Sequence, residues 1–233
     1  MPTHAKFVVF EGIDGSGKRT QLEMLSRSLA GRGIPCEQVG FPNYSGFFGN
    51  MVARFLNGEF GSLETVAPHF SALLYAGDRL ESKGAIENAL ACGGVLLADR
   101  YIASNLAHQG ARVAAKDRGE FLEWIRKLEY EVYGLPQEDL VVYLRVPVAQ
   151  AHQLIGAKAR RVYTEHRHDL QEASLAHLSA AAEVYDELAT QSHWVKVDCL
   201  DPASGSMRTP ASIHEEVASL IERHLSIPAG AGR

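Results

Sequence analysis

The sequence predicts an α/β fold, a doubly wound parallel sheet of about five strands flanked by helices. Three observations predict it. Short β-rich apolar runs alternate with helical patterns, the runs are near-continuously apolar rather than alternating, and no repeat or low-complexity block breaks the order. The first run, Phe7–Phe10, leads through a Gly-rich turn into a helical pattern at Lys18–Arg32. A weaker run at 35–40 stops at the Phe41-Pro42 break, and a long helical pattern follows at Val66–Ala91. Next come the run Val95–Ala98, a helical pattern at Gly119–Tyr133, and the run Leu140–Val146. The pattern at Asp169–Thr190, the run Trp194–Val197 and a last helix near Ala211–Leu225 complete the alternation. A length of 233 residues suits one domain, drawn here over 1–226, with the Gly/Ala-rich 227–233 as a disordered tail.

Composition narrows the partners. Hydrophobic residues make up 46% of the chain, enough for a sizeable core, and the net charge of −5 argues against a broad basic footprint for nucleic acid. A few focused Lys and Arg residues in an otherwise acidic protein suit a small anionic substrate instead. The cysteines, Cys36, Cys92 and Cys199, are far apart and without CxxC spacing, so they read as reduced thiols rather than a disulfide framework or zinc site. The N-terminus lacks an apolar signal core, and no run approaches the roughly 20 apolar residues of a membrane span. The expectation is a cytoplasmic enzyme.

The chemistry begins at the first strand end. The run Gly12-Ile13-Asp14-Gly15-Ser16-Gly17-Lys18-Arg19-Thr20 fits G-x-x-x-x-G-K-[ST] except at the residue after the lysine. Glycines let the backbone pass close to phosphate oxygens and turn successive N–H groups inward, and the helix that follows adds a favourable dipole. Lys18 supplies a mobile positive charge for β- and γ-phosphates. A hydroxyl for Mg2+ normally follows that lysine; here Arg19 stands there and Thr20 comes one step late. Magnesium is therefore expected on an acid elsewhere. A second strand end, Val95-Leu-Leu-Ala-Asp99-Arg100, offers that acid and a planar phosphate clamp.

Together these blocks resemble a family. FEGIDGSGK, FPNY (Phe41–Tyr44), YAGDR (Tyr75–Arg79), DRYIASN (Asp99–Asn105), GLPQEDLVVYLRV (Gly134–Val146) and DLQE (Asp169–Glu172) occur in the order found in bacterial thymidylate kinases and cover about residues 6–200. The resemblance implies a P-loop NTP hydrolase fold with a lid segment at about 156–169, and transfer of the ATP γ-phosphoryl group to dTMP. Another nucleoside or nucleotide kinase is the nearest alternative, and a P-loop NTPase switch a more distant one.

The resemblance also implies roles. Asp14 lies near the sugar 3′-hydroxyl, Tyr44 near sugar and phosphate, and Tyr75 stacks on thymine. Arg79 donates to a base carbonyl, Arg100 binds the dTMP phosphate, and Asn105, His108 and Gln109 line base and deoxyribose. His108 departs from the tyrosine expected there. Some family members carry a catalytic arginine directly after the loop aspartate, where this chain has Gly15. Arg160 or Arg161 of the basic lid is then the expected source, with Arg19 a rival. Asp169 and Glu172 serve either the sugar and lid or only a helix start. The resemblance implies a homodimer, with the apolar helical stretch Phe70–Leu90 as the surface available to pack against a second copy.

Overall fold

The computed structural model describes residues 5–156, 171 and 174–225. Beyond Gly156 the expected lid lies outside the described residues, and Arg160, Arg161, Asp169 and Glu172 with it; so does the expected tail at 227–233.

The expected sheet is present. Strands β1 (Lys6–Glu11), β2 (Cys36–Gly40), β3 (Val95–Asp99), β4 (Leu140–Arg145) and β5 (Trp194–Asp198) form one sheet in the order β2-β3-β1-β4-β5. Every neighbouring pair is parallel. The central strands are sealed on both faces, with Val8, Val9, Phe10, Leu97, Val141 and Val142 all at 0% exposure. That burial explains their unbroken apolar runs. Edge strand β2 is half-exposed, and its signal in the sequence is correspondingly weak.

Helices cover both faces. On one, α1 (Lys18–Gly31) packs beside α8 (Pro210–Leu225). On the other lie α3 (Pro68–Ala91), α4 (Ile102–Gly110), α5 (Ala115–Arg126) and α7 (Leu175–Leu188). The expected helix ending at Tyr133 runs on from α5 as a π-helical turn over Lys127–Val132. Three short helices were not expected from the sequence: α4, α2 (Phe47–Leu56) and α6 (Val148–Gly156).

Helix α2 does not join the main core. With α3 it closes a separate apolar cluster of Val52, Phe55, Leu56, Val66 and Leu74. Tyr44 and Tyr75 pack against this satellite cluster. The register of β1 on β3 sets Phe10 opposite Asp99, so the turns leaving both strands emerge side by side at the carboxyl end of the sheet.

Candidate active site

The turn after β1 is shaped by its glycines. Gly12 has φ 140°, and a Cβ there would stand 2.6 Å from the Leu144 carbonyl oxygen; Gly15 has φ 83°, and its Cβ would meet the Ala151 carbonyl at 2.3 Å. The loop is thus pressed against the end of β4 and against α6, leaving no room for a side chain. Gly17 begins α1 in the left-handed region with no side-chain cap, so the first N–H groups of α1 face the cleft. Ile13 points into the core at 1% exposure; its contribution is its carbonyl.

Lys18 folds onto this loop. Its Nζ donates to the carbonyls of Gly12 and Ile13, both at 2.9 Å. Burial, reinforced by the nearby Arg100 cation, pushes the ammonium down to about 8. An arriving phosphate counters both effects, so the lysine is set to answer an anion. Arg19 behaves differently: its side chain is 81% exposed and its Nε donates to Glu23 at 2.9 Å, one turn along α1. It sits at the rim of the cleft, beside the exposed Thr20.

The second turn centres on Arg100, whose φ of 70° is the one left-handed value outside glycine among the described residues. Its backbone N–H donates to the Phe10 carbonyl at 3.0 Å. Its Nη2 donates to Asp14 Oδ1 at 2.7 Å, and its Nη1 to Ser104 Oγ at 2.9 Å. Asp99 Oδ1, beside it, is buried without a hydrogen-bond partner among the described residues.

Glu11 fastens this turn, and sequence reasoning missed it. The fully buried carboxylate accepts from the Tyr101 and Ser104 backbone N–H groups at 2.8 and 3.0 Å. It also accepts from Ser104 Oγ and the Tyr185 hydroxyl, each at 2.7 Å. Tyr101 offers no side-chain cap to α4, so an acid from β1 caps that helix from outside. The signal was present as the Glu of FEG, but its partners lie some 90 to 174 residues away.

The remaining expected residues line the deeper end of the same cleft, whose volume of about 1280 Å³ exceeds the few hundred to 1,000 Å³ of an ordinary single-ligand pocket. Tyr44 follows the cis Phe41-Pro42 bond, and its loop is tied down where the Asn43 N–H reaches both Asp78 oxygens at 3.1 Å. Burial pushes the Asp78 carboxyl up to about 6. Tyr75 meets Phe55 edge-on at 6.5 Å, and its hydroxyl reaches Gln171 Oε1 at 3.4 Å.

Arg79 is held tightly. It is 1% exposed, with Nε and Nη2 on Glu129 at 2.5 and 2.7 Å, and Asn105 donates to the same carboxylate at 2.8 Å. Two expected acceptor-pocket residues thus hang from one acid in the π-helical turn, which no motif had singled out. Gln109 accepts from Ser71 Oγ at 2.7 Å and from Arg112 at 2.8 Å. His108 is buried between Arg100 and His177.

Among the described residues no group of three or more His, Cys, Asp or Glu forms a cage for a metal ion. The donor set suits instead an ion that keeps waters and phosphate ligands and needs one or two carboxylates. Asp99, with its unpartnered buried oxygen, fits that requirement.

A protein-family model described as thymidylate kinase matches residues 10–206. The thymidylate kinase of Mycobacterium tuberculosis (strain H37Rv among them) is 32% identical over 186 residues, which is 79% of this chain and 86% of that protein. A probable thymidylate kinase of Pyrobaculum aerophilum is 31% identical over 219 residues, covering 93% of this chain and 96% of that one. The solved thymidylate kinase of Candida albicans shares the fold, with a TM-score of 0.73 at 20% identity over 97% of this chain and 96% of that chain.

Proposed function

The chain belongs to the thymidylate kinase family, and from that premise we propose how its residues share the transfer of the ATP γ-phosphoryl group to dTMP. The overall reaction gives dTDP and ADP. One observation carries the division of labour: a single cleft joins the Gly-rich loop and Lys18 to an aromatic pocket, with the Asp14–Arg100 pair between them.

Phosphoryl transfer asks a protein for positioning and charge rather than covalent chemistry. The loop from Gly12 to Thr20 wraps the donor's phosphates with N–H groups at the start of α1, and Lys18 supplies the mobile positive charge. Arg100 holds the acceptor phosphate in line with the donor, its guanidinium aimed by Asp14 and Ser104. A phosphate oxygen of dTMP then attacks the γ-phosphorus while the bond to the ADP oxygen breaks. The acceptor oxygen is already anionic near neutral pH, so no strong general base is required. Asp14 also accepts from the sugar hydroxyl, and Tyr44 closes the sugar side. Tyr75 stacks on the base, whose edge is met by Arg79, Asn105 and Gln109.

Asp99 would hold Mg2+, which would neutralise phosphate charge when bound. The transferring group needs one further cation. Arg160 or Arg161 is the natural donor, because Gly15 leaves the loop without an arginine there and Arg19 is turned outward onto Glu23. Arg160→Ala and Arg161→Ala should lower kcat far more than KM. If Arg19→Ala alone abolishes turnover while both lid variants are tolerated, the assignment fails.

The enzyme acts as a homodimer. Phe70, Leu73 and Leu80 lie along one face of α3 at 39–42% exposure, an apolar stripe of the kind a second copy covers. Leu73→Arg with Leu80→Arg should halve the mass seen in sedimentation; an unchanged mass removes this face from the interface. A cytoplasmic site of action accords with the free Cys36, Cys92 and Cys199. No helix among the described residues is long and apolar enough to cross a membrane.

The decisive assay follows ADP release with dTMP, dUMP, dCMP and dGMP, with and without Mg2+. The fastest magnesium-dependent turnover should be with dTMP. Equal turnover of dCMP or dGMP would overturn the assignment of the base pocket, and hydrolysis unaffected by any acceptor would overturn the kinase reading.

A further inference from the structure

Ser104 and His108 lie four residues apart on one face of α4, and Arg100, in the turn before the helix, reaches toward both. His108 Nε2 stands 3.5 Å from Arg100 Nη1, and its Nδ1 stands 3.3 Å from Nε2 of His177, in the first turn of α7. Both imidazoles are buried, at 5% and 7% exposure. His177 is held in place by the cap of its own helix, its backbone N–H donating to Ser174 Oγ at 3.1 Å.

A guanidinium has only donors, so the Arg100 contact favours the tautomer in which His108 Nε2 presents its lone pair. The proton of neutral His108 then sits on Nδ1 and is donated to His177 Nε2, which leaves the His177 proton on Nδ1. In this state His108 offers no donor to a phosphate arriving beside Arg100, because phosphate oxygens are acceptors too. One added proton turns it into a donor.

We propose that the His108–His177 pair takes up a proton when the acceptor's phosphate docks on Arg100, and that His108 thereby becomes a second donor to that phosphate. The inference rests on the reading of Arg100 as the phosphate clamp.

The surroundings fit a site whose charge is gated by its ligand. His108 is held well below the usual imidazole range by burial first, then by the Arg100 cation, His177 and Lys18, with Asp14 opposing. Burial, then Arg112, brings His177 down to about 4. From α7 the Tyr185 ring meets His108 edge-on at 6.0 Å, and Tyr185 in turn donates to Glu11. Without a ligand, burial first and then the nearby Arg100 and Lys18 cations keep His108 neutral. A phosphate dianion beside the ring opposes these effects and favours the imidazolium. The pair then works as a sensor of acceptor charge inside the pocket.

Calorimetric titration of the full-length protein with dTMP tests this directly, at pH 7 in buffers of differing ionisation enthalpy. Wild-type protein should take up a measurable fraction of a proton. His108→Gln should take up less, retaining only what Lys18 and the phosphate of dTMP contribute, and His177→Leu should also reduce the uptake. Equal uptake by wild type and His108→Gln overturns the proposal. Nitrogen spectra of histidine-labelled wild type give an answer that needs no variant. A second protonated nitrogen on His108 upon adding dTMP supports the proposal, and an unchanged neutral tautomer overturns it. Arg100→Ala separates the two readings. If it leaves dTMP affinity intact, the phosphate clamp itself is wrong. If it weakens binding while wild type and His108→Gln take up protons equally, only the proton inference falls.

Discussion

At the scale of a residue, Arg100, the proposed phosphate clamp, is held in a strained backbone conformation. A left-handed conformation costs a non-glycine residue about 1–2 kcal/mol. Arg100 keeps it because its N–H is fixed to Phe10 while Glu11 grips the next turn. The strain belongs to the backbone and the clamp to the side chain, so two substitutions separate them. Arg100→Gly and Arg100→Ala should both raise the KM for dTMP by one or more orders of magnitude, since each removes charge-assisted contacts worth about 1.5–3 kcal/mol apiece. The glycine variant should nevertheless be the more stable of the two by on the order of 1 kcal/mol in urea unfolding. Equal stabilities would mean that the turn relaxes once the guanidinium is gone. The sequence announced this arginine by its motif; nothing in it announced the φ angle, which is imposed by partners on another strand.

At the scale of an element, the proposed acceptor pocket depends on a helix end that the sequence left featureless. The pattern at 119–133 read as an ordinary helix, yet its last turn is π-helical and carries Glu129, the shared anchor of Arg79 and Asn105. Such local widening is frequent at functional sites. The Arg79–Glu129 pair is buried at 1% and 0% side-chain exposure, so removing one partner strands a charge. Glu129→Ala should therefore cost about 3–5 kcal/mol in urea unfolding and raise the KM for dTMP. A loss below about 1 kcal/mol with unchanged kinetics would show the anchor to be dispensable. Long elements with a strong period, such as α3, were legible because burial writes that period into the chain. Helices α2, α4 and α6 were not, being only nine or ten residues long and, in α4, overlapping a motif that had been read for chemistry. Glu11 and Glu129 were unreadable for a different reason: their meaning lies in contacts with elements distant in the sequence.

At the scale of the whole molecule, titratable groups shifted by burial pull the stability in opposite directions with pH. Asp78 is pushed up to about 6 and Glu138 to about 7, both chiefly by burial. Their protonated forms are favoured by the fold, so what they contribute is full below about pH 4, the unfolded carboxyl range, and is lost as pH rises through 6 to 7. The histidine pair works the other way. His177 is lowered to about 4 and His108 also falls, so the fold favours their neutral forms. Their contribution is full above about pH 6.5 and is lost as pH falls toward 4. Between pH 4 and 6.5 the two sets offset each other, and the wild-type stability curve should be flatter there than either set alone would make it. His177→Leu removes part of the acid-side loss, so this variant should keep more of its own pH 7 stability at pH 5 than wild type keeps. Asp78→Asn should do the reverse, removing the loss on going from pH 4.5 to 6.5 and so steepening the rise of stability with pH. Urea midpoints measured from pH 4.5 to 8 decide it. Curves for the two variants that run parallel to wild type would mean that neither group titrates differently in the folded and unfolded chains, and the opposed contributions of Asp78 and His177 would fall with them.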